Sequence, residues 1–169
     1  KKKKNGANAM YEGTTTGDLN TMIGVSSGRK MTSGTQNAAL GVNSMESVTT
    51  GGCNTGIGMS ALTAITTGST NTSLGHQSLA AITTGSGNVA VGFRSGFANQ
   101  TSSNNVSVGQ DSLRCNTGSS NTAVGRNALE NNTSASNNTA LGMSALVTNT
   151  TGATNVAVGA FAFNSNTTA

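Results

Sequence analysis

The pattern Asn-x-x-(Val/Ile/Leu)-Gly recurs nine times, anchored on Gly24, Gly41, Gly58, Gly75, Gly92, Gly109, Gly125, Gly142 and Gly159. Successive anchors lie 17 residues apart, except for one interval of 16 between Gly109 and Gly125. So short a fixed period limits the fold severely, because a unit of this size cannot bury its own apolar face and must stack on its neighbours.

Aligning the copies on the anchor turns the sequence into columns. Four residues before it stand Asn20, Asn37, Asn54, Asn71, Asn88, Asn105, Asn121, Asn138 and Asn155. One before it stand Ile23, Leu40, Ile57, Leu74, Val91, Val108, Val124, Leu141 and Val158, which we read as the core column. Two before it the residues are small apart from Met22, and three before it they are Thr, Val or Ala. Alternation of β-formers at period two reads as strand. Three residues after the anchor comes Ser or Ala, and Leu62, Leu79, Leu113, Leu129 and Leu146 then form a second core column. Thr32, Thr49, Thr66, Thr83, Thr117, Thr133, Thr150 and Thr167 share a corner, broken by Gln100.

An α-solenoid needs repeats of more than about 30 residues, whereas 17 suit one turn of a β-solenoid. The dominant Gly, Asn, Thr and Ser also favour turns and strands over helix interiors. The expected fold is all-β: a parallel β-solenoid, or β-roll, over residues 20–169, preceded over residues 1–19 by a basic tail and a degenerate partial coil. Nine coils at about 4.8 Å give a rod on the order of 43 Å long. The missing residue falls in the corner between Leu113 and Asn121, where a deletion leaves strand register untouched.

Two columns bear on assembly. Seven after the anchor the chain runs Met31, Val48, Ile65, Ile82 and then Asn99, Asn116, Asn132, Asn149, Asn166. Either this is a corner that accepts an apolar plug or an Asn turn, or its apolar half meets a neighbouring chain. The small column two before the anchor, set opposite the aliphatic one, offers a strip for close approach of another chain or is a solvent-exposed row. The Asn column is expected to be structural, a ladder of amides bonding to each other and to corner backbone. With no evident cap at either end, stacking of chains end to end into a filament is a further expectation.

Chemistry at single residues finds little support. Lys1, Lys2, Lys3 and Lys4 supply the whole net charge of +4, so the remainder is neutral and lacks the basic stripe and stacking aromatics of a nucleic-acid binder. We read the lysine run as a solvated tail rather than a functional arm. His76 is the one histidine and sits in a variable turn position, and the acids are too scattered for paired acid/base work. No enzyme activity, cofactor or metal site is expected. Cys53 and Cys115 lie about 14 Å apart along the axis, too far for a bridge within the chain. Asn71, Asn105 and Asn149 head Asn-x-Ser/Thr triplets, which a repeat this rich in Asn and Thr produces by chance. No apolar run is long enough to span a membrane.

The runs Asn121-Thr122-Ala123-Val124-Gly125-Arg126-Asn127-Ala128-Leu129 and Asn138-Thr139-Ala140-Leu141-Gly142-Met143-Ser144-Ala145-Leu146 carry a resemblance. They resemble the Asn-Thr-Ala-Val-Gly-x-x-Ala-Leu repeats of fibre proteins from bacteriophages and large algal viruses. More distantly they are similar to the head repeats of trimeric autotransporter adhesins, which are β-rolls wound as trimers. The resemblance spans residues 20–169 and implies a fibre shaft or adhesive stalk, homotrimeric, on a virion or in the extracellular space, with a host-surface receptor or glycan as partner. From another class, the corner threonines Thr49/Thr50, Thr66/Thr67, Thr83/Thr84 and Thr150/Thr151 suggest an ice-binding solenoid. Adjacent threonines in a strand point to opposite faces, however, so paired outward rows are not expected from them.

Overall fold

The structure, a computed structural model, describes residues 3–9 and 16–168, the side chains of 3–5 excepted. Ten strands of three residues each form one parallel sheet in chain order. They are β1 (Lys3–Asn5), β2 (Thr21–Ile23), β3 (Ala38–Leu40), β4 (Thr55–Ile57), β5 (Thr72–Leu74), β6 (Val89–Val91), β7 (Val106–Val108), β8 (Thr122–Val124), β9 (Thr139–Leu141) and β10 (Val156–Val158). Each strand lies on the next in exact repeat register, so Thr21 meets Ala38 and Leu40 meets Ile57. Bonds run both ways across each boundary: Thr21 N–H donates to Asn37 O at 2.8 Å, and Gly41 N–H to Ile23 O at 2.8 Å. This is the expected β-solenoid. Among the described residues there is no helix. β1 also draws Lys3 and Lys4, read above as tail, into the sheet against β2; Lys1 and Lys2 lie outside the described residues.

The strand faces are inverted relative to the sequence reading. The supposed core column points outward: Ile57 is 38% exposed, Ile23 40%, Leu74 46%, Leu141 47%, Leu40 49% and Val158 67%. Val91, Val108 and Val124 are half-buried. The small column faces in, with Met22, Ala39, Gly56, Ser73, Ala90, Ser107, Ala123, Ala140 and Ala157 all buried. Available volume explains the inversion. The interior already receives Leu from four residues past the anchor and a further side chain from seven past it, so the strand can add only a small group. Where the strand supplies Met22, the Leu column supplies Gly28, and a Cβ there would lie 2.8 Å from the Met22 sulfur.

The column seven past the anchor is interior from Met31, Val48, Ile65 and Ile82 through Asn99, Asn116, Asn132 and Asn149, and only Asn166 at its end is partly exposed. Its apolar half is core, not a surface offered to another chain. The small column, being interior, offers no such strip either. One apolar cluster runs from Met22 to Ala90 and a second from Leu113 to Ala157. Between them Gly96 replaces Leu, and Ser95 Oγ donates to Ser107 O and Oγ at 2.9 and 2.8 Å.

Asparagine replaces apolar bulk with hydrogen bonds. Asn37 Nδ2 donates to Asn20 Oδ1 at 3.2 Å and to Gly51 O at 2.8 Å, while Asn37 N–H reaches the same Asn20 oxygen at 2.9 Å. The pattern repeats upward, with a bond from each Asn N–H to the Oδ1 below through Asn155. A buried amide with both ends satisfied avoids the cost of dehydrating an unpaired polar group. In the second half a parallel ladder forms, Asn132 Nδ2 donating to Asn116 Oδ1 at 2.6 Å and Asn149 to Asn132 at 3.0 Å.

Tight turning makes the anchor glycine obligatory. Gly75 has φ 142°, and a Cβ there would sit 2.4 Å from Gly92 O of the next coil. Elsewhere the chain accepts left-handed backbone without glycine: Met45, Leu62, Leu79, Leu113, Leu129 and Leu146 all have φ between 47° and 54°. Each turns its side chain into the core there, and all six are buried.

Candidate functional site

Three surfaces present side chains outward. The first is the strand face. Because strand residues alternate, the column three before the anchor shares it with the aliphatic one, giving Thr21/Ile23, Ala38/Leu40, Thr55/Ile57, Thr72/Leu74, Val89/Val91, Val106/Val108, Thr122/Val124, Thr139/Leu141 and Val156/Val158. Every strand from β2 to β10 supplies one aliphatic residue beside Thr, Val or Ala, so a continuous apolar band runs from β2 to β10. When the second member is Val, the first is usually Val; when it is Ile or Leu, the first is Thr or Ala. Apolar bulk per coil is thus held nearly constant.

The second surface is the corner. Thr49 Oγ1 donates to Thr66 O at 3.1 Å, Thr66 Oγ1 to Thr83 O at 3.1 Å and Thr133 Oγ1 to Thr150 O at 3.0 Å. The hydroxyls of this expected column therefore tie coils together. Next to it is a ladder that the sequence reading missed: Ser69 N–H donates to Ser86 Oγ at 3.0 Å, Ser86 N–H to Ser103 Oγ at 3.0 Å and Ser119 N–H to Ser136 Oγ at 3.0 Å. Its signal was present, since serine recurs at one position in Ser69, Ser86, Ser103, Ser119 and Ser136.

The third surface is the turn just past the anchor, and most described charges gather there. Arg94 Nε lies 3.0 Å from Asp111 Oδ1, without the alignment of a hydrogen bond, and Arg94 Nη2 donates to Asp111 Oδ2 at 3.3 Å. Arg114 Nη2 lies 2.8 Å from Glu130 Oε1 and its Nε donates to the same oxygen at 2.9 Å. This hydrogen bond to Glu130 holds the Arg114 guanidinium above its ordinary pKa, against a smaller opposing effect of burial. Arg29 and Glu46 make a similar bridge at 2.6 Å. The ring of His76 lies 5.4 Å from that of Phe93, and the Arg94 guanidinium carbon lies 4.7 Å from the Phe93 centroid.

The structure does not bring the remaining sequence candidates together. Glu46 and Glu130 face arginines, not each other. Cys53 and Cys115 are both free. Asn71, Asn105 and Asn149 are buried rungs of the ladders, which leaves their amides inaccessible in the folded chain. Among the described residues no three His, Cys, Asp or Glu side chains converge as metal ligands, and no helix is long and apolar enough to cross a membrane. The fold and its surfaces define a parallel β-solenoid with one apolar sheet face. No protein-family model, curated protein or solved structure matches the chain.

Proposed function

We propose that this chain is a structural protein, a stiff segment of an extracellular or virion-surface fibre, and that it assembles side by side as a homotrimer through the outward strand face. The observation that carries the reading is the outward band of Ile, Leu and Val, exposed or half-buried, repeated on every strand from β2 to β10. A continuous apolar band of this length on a soluble protein marks an interaction surface. Constant apolar bulk per coil suits packing in register, where each layer meets its own copy. Area favours three copies over two. A face about 10 Å wide and 43 Å long offers on the order of 400 Å² per chain, below the roughly 800 Å² per partner of a stable interface. A closed ring of three gives each chain two neighbours, so the turns that flank the face are covered along with it and the covered area exceeds that of the face alone.

The test is mass in solution by sedimentation or light scattering, together with micrographs. A particle of three chains of 16.7 kDa each is the expected outcome. Replacing Leu40 and Leu74 together by Asp should yield folded monomers, since both side chains are exposed in the single chain. A compact wild-type monomer would sink the proposal.

Ice binding is the second reading, and the specific observation behind it is the regular strand face, where Thr21, Thr55, Thr72, Thr122 and Thr139 stand one column from the aliphatic row. The corner threonines that first suggested it donate their hydroxyls to the next coil, so the reading now rests on this different column. A thermal-hysteresis assay at high concentration separates the two, because absence of hysteresis removes ice binding.

A further inference from the structure

The amides that build the ladders also head a recognition pattern. Asn-x-Ser/Thr is the acceptor triplet for N-linked oligosaccharide. It begins at Asn71, Asn99, Asn105, Asn132 and Asn149, and all five of these asparagines are buried. Each has both amide hydrogens committed. Asn71 Nδ2 donates to Asn54 Oδ1 at 3.1 Å and to Gly85 O at 2.9 Å, and Asn149 Nδ2 to Asn132 Oδ1 at 3.0 Å and to Gly152 O at 2.9 Å. Asn132 Nδ2 serves Asn116 Oδ1 and Ala135 O, Asn105 Nδ2 serves Ser102 Oγ and Gly118 O, and Asn99 Nδ2 serves Asn88 Oδ1 and Ser102 O.

Glycan transfer joins Nδ2 to the anomeric carbon of an oligosaccharide and breaks that carbon's bond to a lipid pyrophosphate, which leaves with one amide proton. The amide then keeps a single N–H, so a ladder bond is lost and a buried oxygen is left unpaired. Volume is the larger obstacle, because the sugar would stand where the next coil packs, and a close-packed interior holds no such space. From this we infer that N-glycosylation of these triplets and closure of the coils exclude each other, so the chain folds only where no oligosaccharide is transferred to it first. Asn137, at the head of Asn137-Asn138-Thr139, is the contrasting case. It is exposed in a left-handed turn at φ 62°, and its side chain makes no hydrogen bond among the described residues. A glycan there leaves every ladder bond intact. For a surface fibre the consequence is a route: the rod folds in a cytosol, or in a cell without the transferase, and reaches the outside already closed. The ladders alone carry this, whatever the rod does and however many copies associate.

The test expresses the full chain twice in one eukaryotic cell line, in the cytosol and behind a cleavable secretion signal. Each product is scored for enzyme-removable glycan mass and for protease resistance. We expect the cytosolic product to be unmodified and resistant, and the signal-bearing one to carry glycans on the ladder triplets, stay inside the cell and lose its resistance. Blocking synthesis of the lipid-linked donor should let the same chain emerge folded. A variant keeps the five buried amides but removes every triplet except that of Asn137, through Ser73→Ala, Thr101→Ala, Ser107→Ala, Asn131→Thr, Ser134→Ala, Thr151→Ala and Thr168→Ala. Ser73 and Ser107 stand in the inward column that holds Ala39, Ala90 and Ala123, and Thr101, Ser134, Thr151 and Thr168 are exposed. This variant should be secreted folded, with a glycan on Asn137. A wild-type chain secreted in folded form, glycosylated on any of the five or not, would overturn the inference. So would failure to fold with the donor blocked, or a variant that folds in the cytosol but not behind the signal, since the defect would then have another cause.

Discussion

At the scale of single residues, stability rests on groups that have no freedom to change. A Cβ at Gly75 meets both a forbidden backbone angle and the carbonyl of Gly92. Gly75→Ala should therefore cost at least about 2 kcal/mol, the range for such strain, measured as a shift in the urea midpoint. Asn71 is equally constrained, because its Oδ1 accepts from both Asn88 nitrogens while its Nδ2 serves Asn54 Oδ1 and Gly85 O. Asn71→Ala leaves several buried groups unpaired and should cost about 3 kcal/mol. Thr70 is the opposite case. It is a β-branched residue at φ 58° in a column where Asn104 and Asn137 hold the same angle. Thr70→Asn should raise stability by about 0.5–1 kcal/mol, since Asn enters left-handed backbone more readily.

At the scale of the coil, the sequence reveals the period, the Asn ladder and the anchor glycines, but not which side of the strand is inside. Alternation shows only that Ile57 and Gly56 point opposite ways, and hydrophobicity then favours the wrong one. The clue lay in volume rather than polarity: the one large residue of the small column, Met22, coincides with a glycine in the leucine column, Gly28. Residues that trade size must share a space. The Ser ladder was hidden for another reason, because serine is common throughout the chain and its role appears only when a neighbouring coil supplies the N–H. The ion pairs running from Arg94 through Asp111 and Arg114 to Glu130 bridge successive coils where the two apolar clusters part and where one corner is a residue short. Here charge ties a joint that has little apolar packing. Arg114→Gln, or added salt, should speed amide exchange around Gly96 and Leu113 more than around Leu62 or Leu146, which hydrogen-exchange mass spectrometry would detect.

At the scale of the whole molecule, each coil touches only the one before and the one after, so stability is a sum of near-neighbour couplings. Damage should stay local. Leu62→Ala, opening a cavity in the first cluster, should cost about 2–5 kcal/mol and lower exchange protection between Met45 and Ala90. It should leave Leu113 to Ala157 nearly as protected as before. Uniform loss along the chain would show the rod to be more cooperative than its packing implies.

The amide ladders also give the molecule a direction. In the Asn column each backbone N–H from Asn37 to Asn155 points toward the N-terminal neighbour and each Oδ1 from Asn20 to Asn138 accepts from the C-terminal one, while each Nδ2 from Asn20 to Asn138 also reaches a carbonyl on the C-terminal side. The second ladder, where present, runs the same way. Cut between two coils, the Asn column would show Oδ1 acceptors on one face and the backbone N–H groups that meet them on the other, although the strands present donors and acceptors on both. Two such faces fit only head to tail, so a seam between coils carries its own polarity, as a zip closes in one sense and not the other.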